Sequence, residues 1–368
     1  MMTSIQKLHF NKEIYRLRLA VTTACILRCK YCFVRKTNKV IPYPLAVRAV
    51  KLLLKSRGAK KLLMIYGGEP LLCFGLLKRI INFAQNKARL LNKSLIISIG
   101  TNGVLLNQEK LDFFKKKNIK LAISLDGQKK FHNKARVFDN KMGSFDFISD
   151  KLTLVFKNIK KENSCVLFGV LPSSAYAMYD NLIYLNKLGF DSINIEPIEN
   201  HKFKWKSSQQ EAFLINLIKF TKLIEQGIQH GNFIFMNSVN RELRGRKLTD
   251  KKNLCPFFRN LEVYSEGEIT FSPLLINSKD KDRYIIGNIK SGFLKKYTSC
   301  HFSPNGEECK NCKKDYFLRE KHNYSNSEDV LNLRNSWSIK LSQKILSHAK
   351  TQPVFKRYIQ EAKKRVFE

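Results

Sequence analysis

The sequence predicts an α/β fold whose strands form a parallel sheet or barrel. Strand-like and helix-like runs alternate along the first 200 residues, in about six strand–helix repeats. Repeats of this kind form parallel sheets or barrels. The residues that could bind a ligand or take part in a reaction follow strand-like runs rather than helix-like ones. Ligand sites in such folds lie at the carboxyl ends of the strands.

The elements can be assigned in order from their periodicity and boundary residues. The strand-like runs cover residues 14–21, 61–66, 94–100, 120–125, 164–170 and 192–198. The helix-like runs cover residues 44–58, 75–91, 107–117, 144–159, 175–189 and 207–230. Pro44 lies near the start of the first helix and Gly58 occupies its C-cap position. Asn107 is a predicted N-cap, and Ser208 with Glu211 is a predicted capping box.

Four short motifs each follow a strand. The cysteine-rich stretch "CILRCKYC" follows the first strand, "GGEP" the second, "TNG" the third and "DG" the fourth. Because parallel strands end at the same edge of a sheet, these four motifs are expected to meet there.

Composition limits the classes of function. The N-terminus has no apolar signal region, and no apolar run reaches the roughly 18 residues that a membrane span needs. The sequence therefore predicts a cytoplasmic protein with reduced thiols, whose clustered cysteines bind metal rather than forming disulfides. The 67 Lys and Arg against 30 Asp and Glu give a net charge of +37. That charge fits either compositional bias or an anionic partner.

Cys25, Cys29 and Cys32 have C-x3-C-x2-C spacing. Three thiolates at this spacing can hold three corners of a [4Fe–4S] cluster and leave the fourth iron open to a chelating small molecule. Zinc is the competing metal, but it prefers four protein ligands and no fourth ligand is local.

"CILRCKYC" with Tyr31, "GGEP", and "SLDG" followed by "HNKAR" together resemble the radical S-adenosylmethionine (SAM) superfamily, and within it the SPASM/Twitch branch of peptide and protein maturases. The resemblance is strong over residues 25–200 and loose over 255–312. It implies a partial (β/α)6 TIM-like barrel with a small C-terminal iron–sulfur domain. The implied segments are a barrel at 1–205, a helix and linker at 206–252, a Twitch/SPASM-like domain at 253–320, and a basic helical tail at 321–368.

The resemblance also implies roles for individual residues. Cys25, Cys29 and Cys32 would hold the cluster that chelates SAM. The remaining SAM contacts would come from Tyr31, Gly67, Gly68, Glu69, Ser124 and Arg136. A carboxylate suits the SAM ammonium and a guanidinium suits its carboxylate. His132 is interpreted as a surface histidine, and Cys73 and Cys165 as buried core thiols.

A second cysteine set lies in the C-terminal region, at Cys255, Cys300, Cys309 and Cys312. Four thiolates suffice for one auxiliary iron–sulfur cluster, with zinc as the alternative. The full SPASM pattern has a further cysteine where Ser272 stands. Anaerobic sulfatase-maturating enzymes place an aspartate base directly after it, where this chain has Pro273, so formylglycine formation is disfavoured.

The implied activity is reductive cleavage of SAM to a 5'-deoxyadenosyl radical that modifies a peptide or protein through a crosslink, a thioether or epimerisation. The expected partners are a peptide substrate, which could be an acidic precursor with a separate leader-binding partner, and a reductant such as flavodoxin or ferredoxin. The first strand begins near Ile14, so no leader-binding domain is expected before it. RNA modification and a non-enzymatic iron–sulfur sensor are the alternative functions. The sequence does not exclude nucleic acid as a partner.

Overall fold

The computed structural model of the chain describes residues 13–198, 203–244, 260–270, 285–293 and 328–367. The strands within these ranges are β1 (Arg16–Thr22), β2 (Lys60–Gly67), β3 (Ser94–Thr101), β4 (Lys120–Ser124), β5 (Ser164–Val170), β6 (Ser192–Pro197), β7 (Phe235–Met236), β8 (Asn260–Val263), β9 (Glu268–Thr270), β10 (Gly287–Asn288) and β11 (Gly292–Phe293). The α-helices are α1 (Tyr43–Lys55), α2 (Phe74–Leu90), α3 (Gln108–Lys116), α4 (Lys129–Ala135), α5 (Phe145–Asn158), α6 (Met178–Lys187), α7 (Ser207–Gln229), α8 (Asn237–Leu243), α9 (Glu328–His348) and α10 (Pro353–Lys364).

All the described strands form a single sheet in the order β11-β10-β9-β8-β1-β2-β3-β4-β5-β6-β7. Strands β1 to β7 are parallel to their neighbours, and β8 also pairs in parallel with β1. Strands β9 to β11 extend the β8 edge as antiparallel ribbons. Parallel neighbours in chain order are the arrangement of a partial barrel, since a doubly wound sheet reverses its strand order. The α/β fold with a partial barrel is therefore confirmed.

The strands have an apolar outer face and a more polar inner face. On β1, Leu17, Leu19 and Val21 are fully buried in the same apolar cluster as the inward side of α1. Because successive side chains of a strand point to opposite faces, Arg16 and Arg18 lie on the inner face. Burying each leucine contributes about 1.5–3 kcal/mol, so the outer face supplies the core and leaves the inner face for chemistry.

Several predicted helix boundaries are confirmed and others are wrong. The Asn107 side chain accepts a hydrogen bond from the Lys110 amide at 3.1 Å, so it caps α3 as predicted. Helix α1 ends at Lys55 and not at Gly58, which adopts φ +87° three residues later. The predicted capping box of α7 is also wrong, because Gln209 instead accepts from the Lys206 amide at 2.9 Å. Helix α4 was not predicted from the sequence, because it is short and lysine-rich.

The C-terminal helix α10 covers the amino ends of the strands. Tyr358 stacks on Phe235 with ring centroids 4.8 Å apart and donates a hydrogen bond to the Ile234 carbonyl at 3.0 Å. Directly after the helix, Arg365 pairs with Asp191 at 2.7 Å, just before β6 begins. With one end of the strands closed in this way, the carboxyl ends are left for the motif loops.

The predicted C-terminal cysteines and the positions of Ser272 and Pro273 lie outside the described residues. The segment boundaries at 205, 252 and 320 stay predictions. No helix of the described part of the chain is long and apolar enough to cross a membrane.

The Tyr358 contacts predict a graded loss of stability. Tyr358→Phe keeps the stack and removes one buried hydrogen bond, so it should lower the free energy of unfolding by about 1 kcal/mol. Tyr358→Ala also removes the ring and should cost about 3–5 kcal/mol. Urea unfolding of the full chain measures both, with Tyr176→Phe as the control, since Tyr176 is 60% exposed. Equal losses of unfolding free energy in the two Tyr358 variants would show that the stacked ring does not contribute to stability and would contradict the prediction.

Candidate active site at the carboxyl ends of the strands

The cysteine loop follows β1 and is fixed by backbone hydrogen bonds on two sides. The amides of Arg28 and Lys30 donate to the carbonyls of Val137 and Ala135 at 2.7 and 2.9 Å. The Thr23 amide donates to the Lys39 carbonyl at 2.9 Å. The loop is therefore held from outside its own sequence, across the carboxyl end of the barrel.

The three thiols of this loop are partly buried and carry no disulfide. Burial raises the pKa of Cys25, and it raises the pKa of Cys29 to about 11. Polar hydrogens approach two of the sulfurs: Leu27 N and Asn102 Nδ2 lie 3.4 and 3.6 Å from Cys25 Sγ, and Lys36 Nζ lies 3.0 Å from Cys32 Sγ.

The two glycines of "GGEP" allow a close contact between this loop and the cysteine loop. Gly67 has φ +143°, and a Cβ on it would overlap the Thr22 carbonyl oxygen. A Cβ on Gly68 would overlap the Ala24 carbonyl oxygen. The Gly68 amide donates to Thr22 O and the Glu69 amide to Ala24 O, each at 2.7 Å. Only glycine fits such an approach, so the sequence motif has a structural reason beside its expected ligand role.

The Glu69 carboxylate joins the loops after β2 and β3. Its Oε1 accepts from Thr101 Oγ1 at 2.7 Å and from the Leu71 amide at 3.0 Å, and its Oε2 accepts from the Asn102 amide at 2.8 Å. Burial raises the pKa of Glu69, while these hydrogen bonds act in the opposite direction. A carboxylate has about four acceptor positions, so these three bonds leave one position on Oε2 unfilled in a fully buried side chain.

Asp126 connects three parts of the site. Its Oδ2 accepts from Tyr31 Oη at 2.5 Å and from Arg136 Nε at 2.9 Å, and its Oδ1 accepts from the Gly169 amide at 3.0 Å. The Arg136 guanidinium carbon also lies 5.3 Å from the centre of the Tyr31 ring. Burial disfavours the charged guanidinium, but Asp126, Tyr31 and Cys29 together outweigh burial, so the pKa of Arg136 is raised. The structure thus brings the predicted Tyr31 and Arg136 together through an aspartate that sequence reasoning missed.

His132 is fully buried, so its interpretation as a surface histidine is wrong. The Asp126 amide donates to its Nδ1 at 3.2 Å, which leaves the proton on Nε2. Nε2 then donates to Ser144 Oγ at 2.9 Å, and Ser144 Oγ donates to the Arg136 carbonyl at 3.0 Å. Burial lowers the pKa of His132 to about 4, so the neutral ring positions the segment that carries Arg136.

The remaining predicted residues lie in different surroundings. Ser124 is the last residue of β4, on the inner face at the motif end. Cys165 is fully buried, as predicted, and accepts from Asn237 Nδ2 at 3.3 Å. Cys73 is only partly buried, in the turn before α2, so its prediction as a buried core thiol is wrong.

The inner face also carries a charged pair below the motif loops. Arg18 is paired in register with Glu262, and their charged groups lie 4.0 Å apart. Glu262 is 1% exposed, and its Oε1 has no hydrogen-bond partner among the described residues. Small residues lie nearby on the same face, and a Cβ added to Gly100 would meet only Tyr66, at 4.0 Å. The inner face therefore carries a buried carboxyl group on β8 and, three strands away on β3, space over Gly100.

The profile of the radical SAM superfamily matches residues 19–195. A GTP 3',8-cyclase of Helicobacter pylori (strain HPAG1) is 32% identical over 271 residues, which is 71% of this chain and 80% of that protein. The chain belongs to the radical SAM superfamily. A cysteine-type anaerobic sulfatase-maturating enzyme of Clostridium novyi (strain NT) is 26% identical over 306 residues, 78% of each chain. Among solved structures, native anSMEcpe with bound AdoMet matches with TM-score 0.66 and 20% identity over 95% of this chain and 99% of that one.

The residues present fit the iron–sulfur cluster that this superfamily implies. Cys25, Cys29 and Cys32 supply three sulfurs from one loop, and amide and ammonium donors approach two of them. Hydrogen bonds to sulfur are a usual environment for cluster thiolates. Because burial raises the pKa values of Cys25 and Cys29 in the folded chain, binding iron there must also release protons.

The Asp126 contacts predict a selective loss of SAM binding. Asp126→Asn keeps the size of the side chain but removes its charge from Arg136 and Tyr31, so the affinity for SAM should fall about 10- to 100-fold. Calorimetry on the anaerobically reconstituted chain measures this. Asp146→Asn is the control, since Asp146 pairs with Lys129 in an exposed ion pair. Unchanged affinity in Asp126→Asn with full iron content would refute the role.

Glu262 predicts a pH-dependent stability. Burial raises the pKa of Glu262 to about 8 from its ordinary value near 4.5, so the folded chain binds more protons than the unfolded chain between these values. Stability should therefore fall as the pH rises from 5 to 8, by an amount on the order of a few kcal/mol. Glu262→Gln removes this titrating group, so the free energy of unfolding of the variant relative to the parent should increase as the pH rises. Parallel unfolding curves of the two chains across pH 5–8 would contradict the prediction.

Proposed function

We propose that this chain is a radical SAM enzyme that modifies a peptide or protein. The observation that carries the proposal is the contact of the three-thiol loop with the "GGEP" loop and with the Asp126–Arg136 pair, all at the carboxyl ends of the strands. These are the positions at which the predicted cluster ligands and SAM contacts would have to meet.

The cluster, when bound, supplies the electron that cleaves SAM to methionine and a 5'-deoxyadenosyl radical. The protein's contribution is binding and orientation. The two terminal nitrogens of Arg136 are available to the SAM carboxylate because Asp126 takes Nε. Oε2 of Glu69 would accept from the SAM ammonium, with the peptide groups of Gly67 and Gly68 beside it. Tyr31 in the cysteine loop and Ser124 at the end of β4 would contact the adenosine.

Structures with similar folds support a peptide substrate. Native anSMEcpe has been solved with AdoMet and Cp18Cys peptide, and Streptococcus suis SuiB with its precursor peptide SuiA. In this chain the inner face offers Arg18, Glu262 and the space over Gly100 as contacts for a polar chain. Pro273 stands where sulfatase maturases place their base, so the proposed product is a crosslink, a thioether or an epimer rather than formylglycine.

The proposed second cofactor is one auxiliary iron–sulfur cluster on Cys255, Cys300, Cys309 and Cys312. Four thiolates complete one cluster. The proposed reductant is a flavodoxin or ferredoxin, and the need for reduced thiolates fits a cytoplasmic location.

A nucleotide substrate is the second candidate function. It is favoured by the GTP 3',8-cyclase relative and by the two inner-face guanidinium groups of Arg16 and Arg18. Guanidinium groups bind phosphates well. RNA modification is the macromolecular form of this candidate and would show as a salt-sensitive gel shift.

Anaerobic reconstitution tests the proposal. With dithionite and SAM, the parent chain should form 5'-deoxyadenosine and hold about eight irons, two cubanes' worth. Cys29→Ala should abolish 5'-deoxyadenosine and lower the iron content by half. Cys73→Ala, a cysteine outside the loop, should change neither. Iron binding without any SAM cleavage would refute the enzyme.

The substrate class is tested in the same reaction. A random peptide library in D2O should yield products that lose two mass units for a crosslink or thioether, or gain one deuterium for an epimer. Conversion of GTP with no change in any peptide would favour the nucleotide candidate instead.

A further inference from the structure

Lys36 lies four residues after Cys32 and contacts the cysteine loop directly. Its Nζ donates a hydrogen bond to Cys32 Sγ at 3.0 Å. Its positive charge also acts to lower the pKa of both Cys25 and Glu69, against the larger effect of burial. The ammonium group thus touches one cluster sulfur, Cys32 Sγ, and its charge also acts on Cys25.

The other charged groups around the thiols already have hydrogen-bond partners. Arg136 is paired with Asp126, and Glu69 accepts hydrogen bonds from three donors. Across the described ranges, no carboxylate lies within ion-pair distance of Lys36. Its charge thus acts on the sulfurs without an ion-pair partner among the described residues.

We propose that Lys36 raises the reduction potential of the cluster held by Cys25, Cys29 and Cys32. Reduction adds one electron, and therefore one negative charge, to the cluster. An ammonium group bonded to a cluster thiolate stabilises the reduced form more than the oxidised form, because net charge and hydrogen bonds to sulfur set these potentials. The inference rests on the proposed cluster and is independent of the substrate.

The consequence for the reaction is a balance between two steps. A higher potential makes it easier for an electron donor to reduce the cluster, but leaves less driving force for transfer of that electron to SAM. Lys36 would set this balance from outside the ligand set, without contacting the substrate.

The test is a redox titration of the reconstituted chain without SAM or peptide. The one-electron EPR signal that is missing from Cys29→Ala identifies the cluster of this loop. In Lys36→Met the midpoint should shift to lower potential by about 59 mV, a tenfold change in the reduction equilibrium of a one-electron couple. Lys36→Arg should keep most of the parent value, because it retains the charge and a donor.

Lys39→Met is the matched control. Lys39 lies in the same loop but its Nζ is bonded to Glu266 at 2.6 Å, so its removal should leave the midpoint unchanged. An equal shift in Lys39→Met, or no shift in Lys36→Met, would overturn the proposal.

Loss of the cluster is covered by a second neutral variant. If Lys36→Met does not hold iron, Lys36→Gln is titrated in its place. If neither neutral variant holds iron while Lys36→Arg does, Lys36 serves cluster assembly and the proposal is overturned. If the variants show the predicted shifts in midpoint potential but the parent chain never forms 5'-deoxyadenosine, the proposed function is refuted instead.

Discussion

The site depends on the carboxylate of Asp126. Its two oxygens accept from Tyr31 in the cysteine loop, Arg136 beyond α4, and the Gly169 amide in β5. These segments are far apart in sequence, and both Asp126 and Arg136 are almost entirely buried. Removing one partner of a buried, hydrogen-bonded pair costs about 3–5 kcal/mol, because the other charge is left uncompensated. The neutral His132 then fixes the backbone on either side, through the Asp126 amide and the Arg136 carbonyl.

The outer face of the sheet contributes most of the stability, and the inner face carries the polar groups. The outer face buries aliphatic residues such as Leu17 and Leu19 against helices. The inner face keeps Arg18 and a buried Glu262 that lacks a hydrogen-bond partner for one oxygen among the described residues. A buried carboxyl group in this state costs stability, and the apolar outer face and the closure by Tyr358 offset that cost. The chain can therefore keep polar groups inside a barrel whose core lies elsewhere.

The sequence predicts the first six strands and the motif loops well, because both depend on local patterns. Period-2 alternation and a motif after each strand suffice to place Cys25, Glu69 and Ser124 at one end of the barrel. Asp126 was missed although it stands in "SLDG", since its role comes from partners that no local pattern reveals. Glu262 was missed for the same reason: its importance arises only when β8 pairs with β1. His132 looked like a surface residue because α4 is rich in lysine, and only the packing of the helix buries it.

The conformation of the cysteine loop depends on residues outside it. Carbonyls at Ala135 and Val137 and the contact with Gly68 hold the loop, so the barrel strands and α4 contribute to the placement of the three thiols. In that folded state burial keeps Cys25 and Cys29 protonated, so iron must displace protons against the raised pKa values. A cation beside the sulfurs lowers the cost of that step and of each later reduction. Burial of the cysteine loop excludes water and disfavours negative charge on the sulfurs. The ammonium group of Lys36, next to Cys32, compensates for that negative charge.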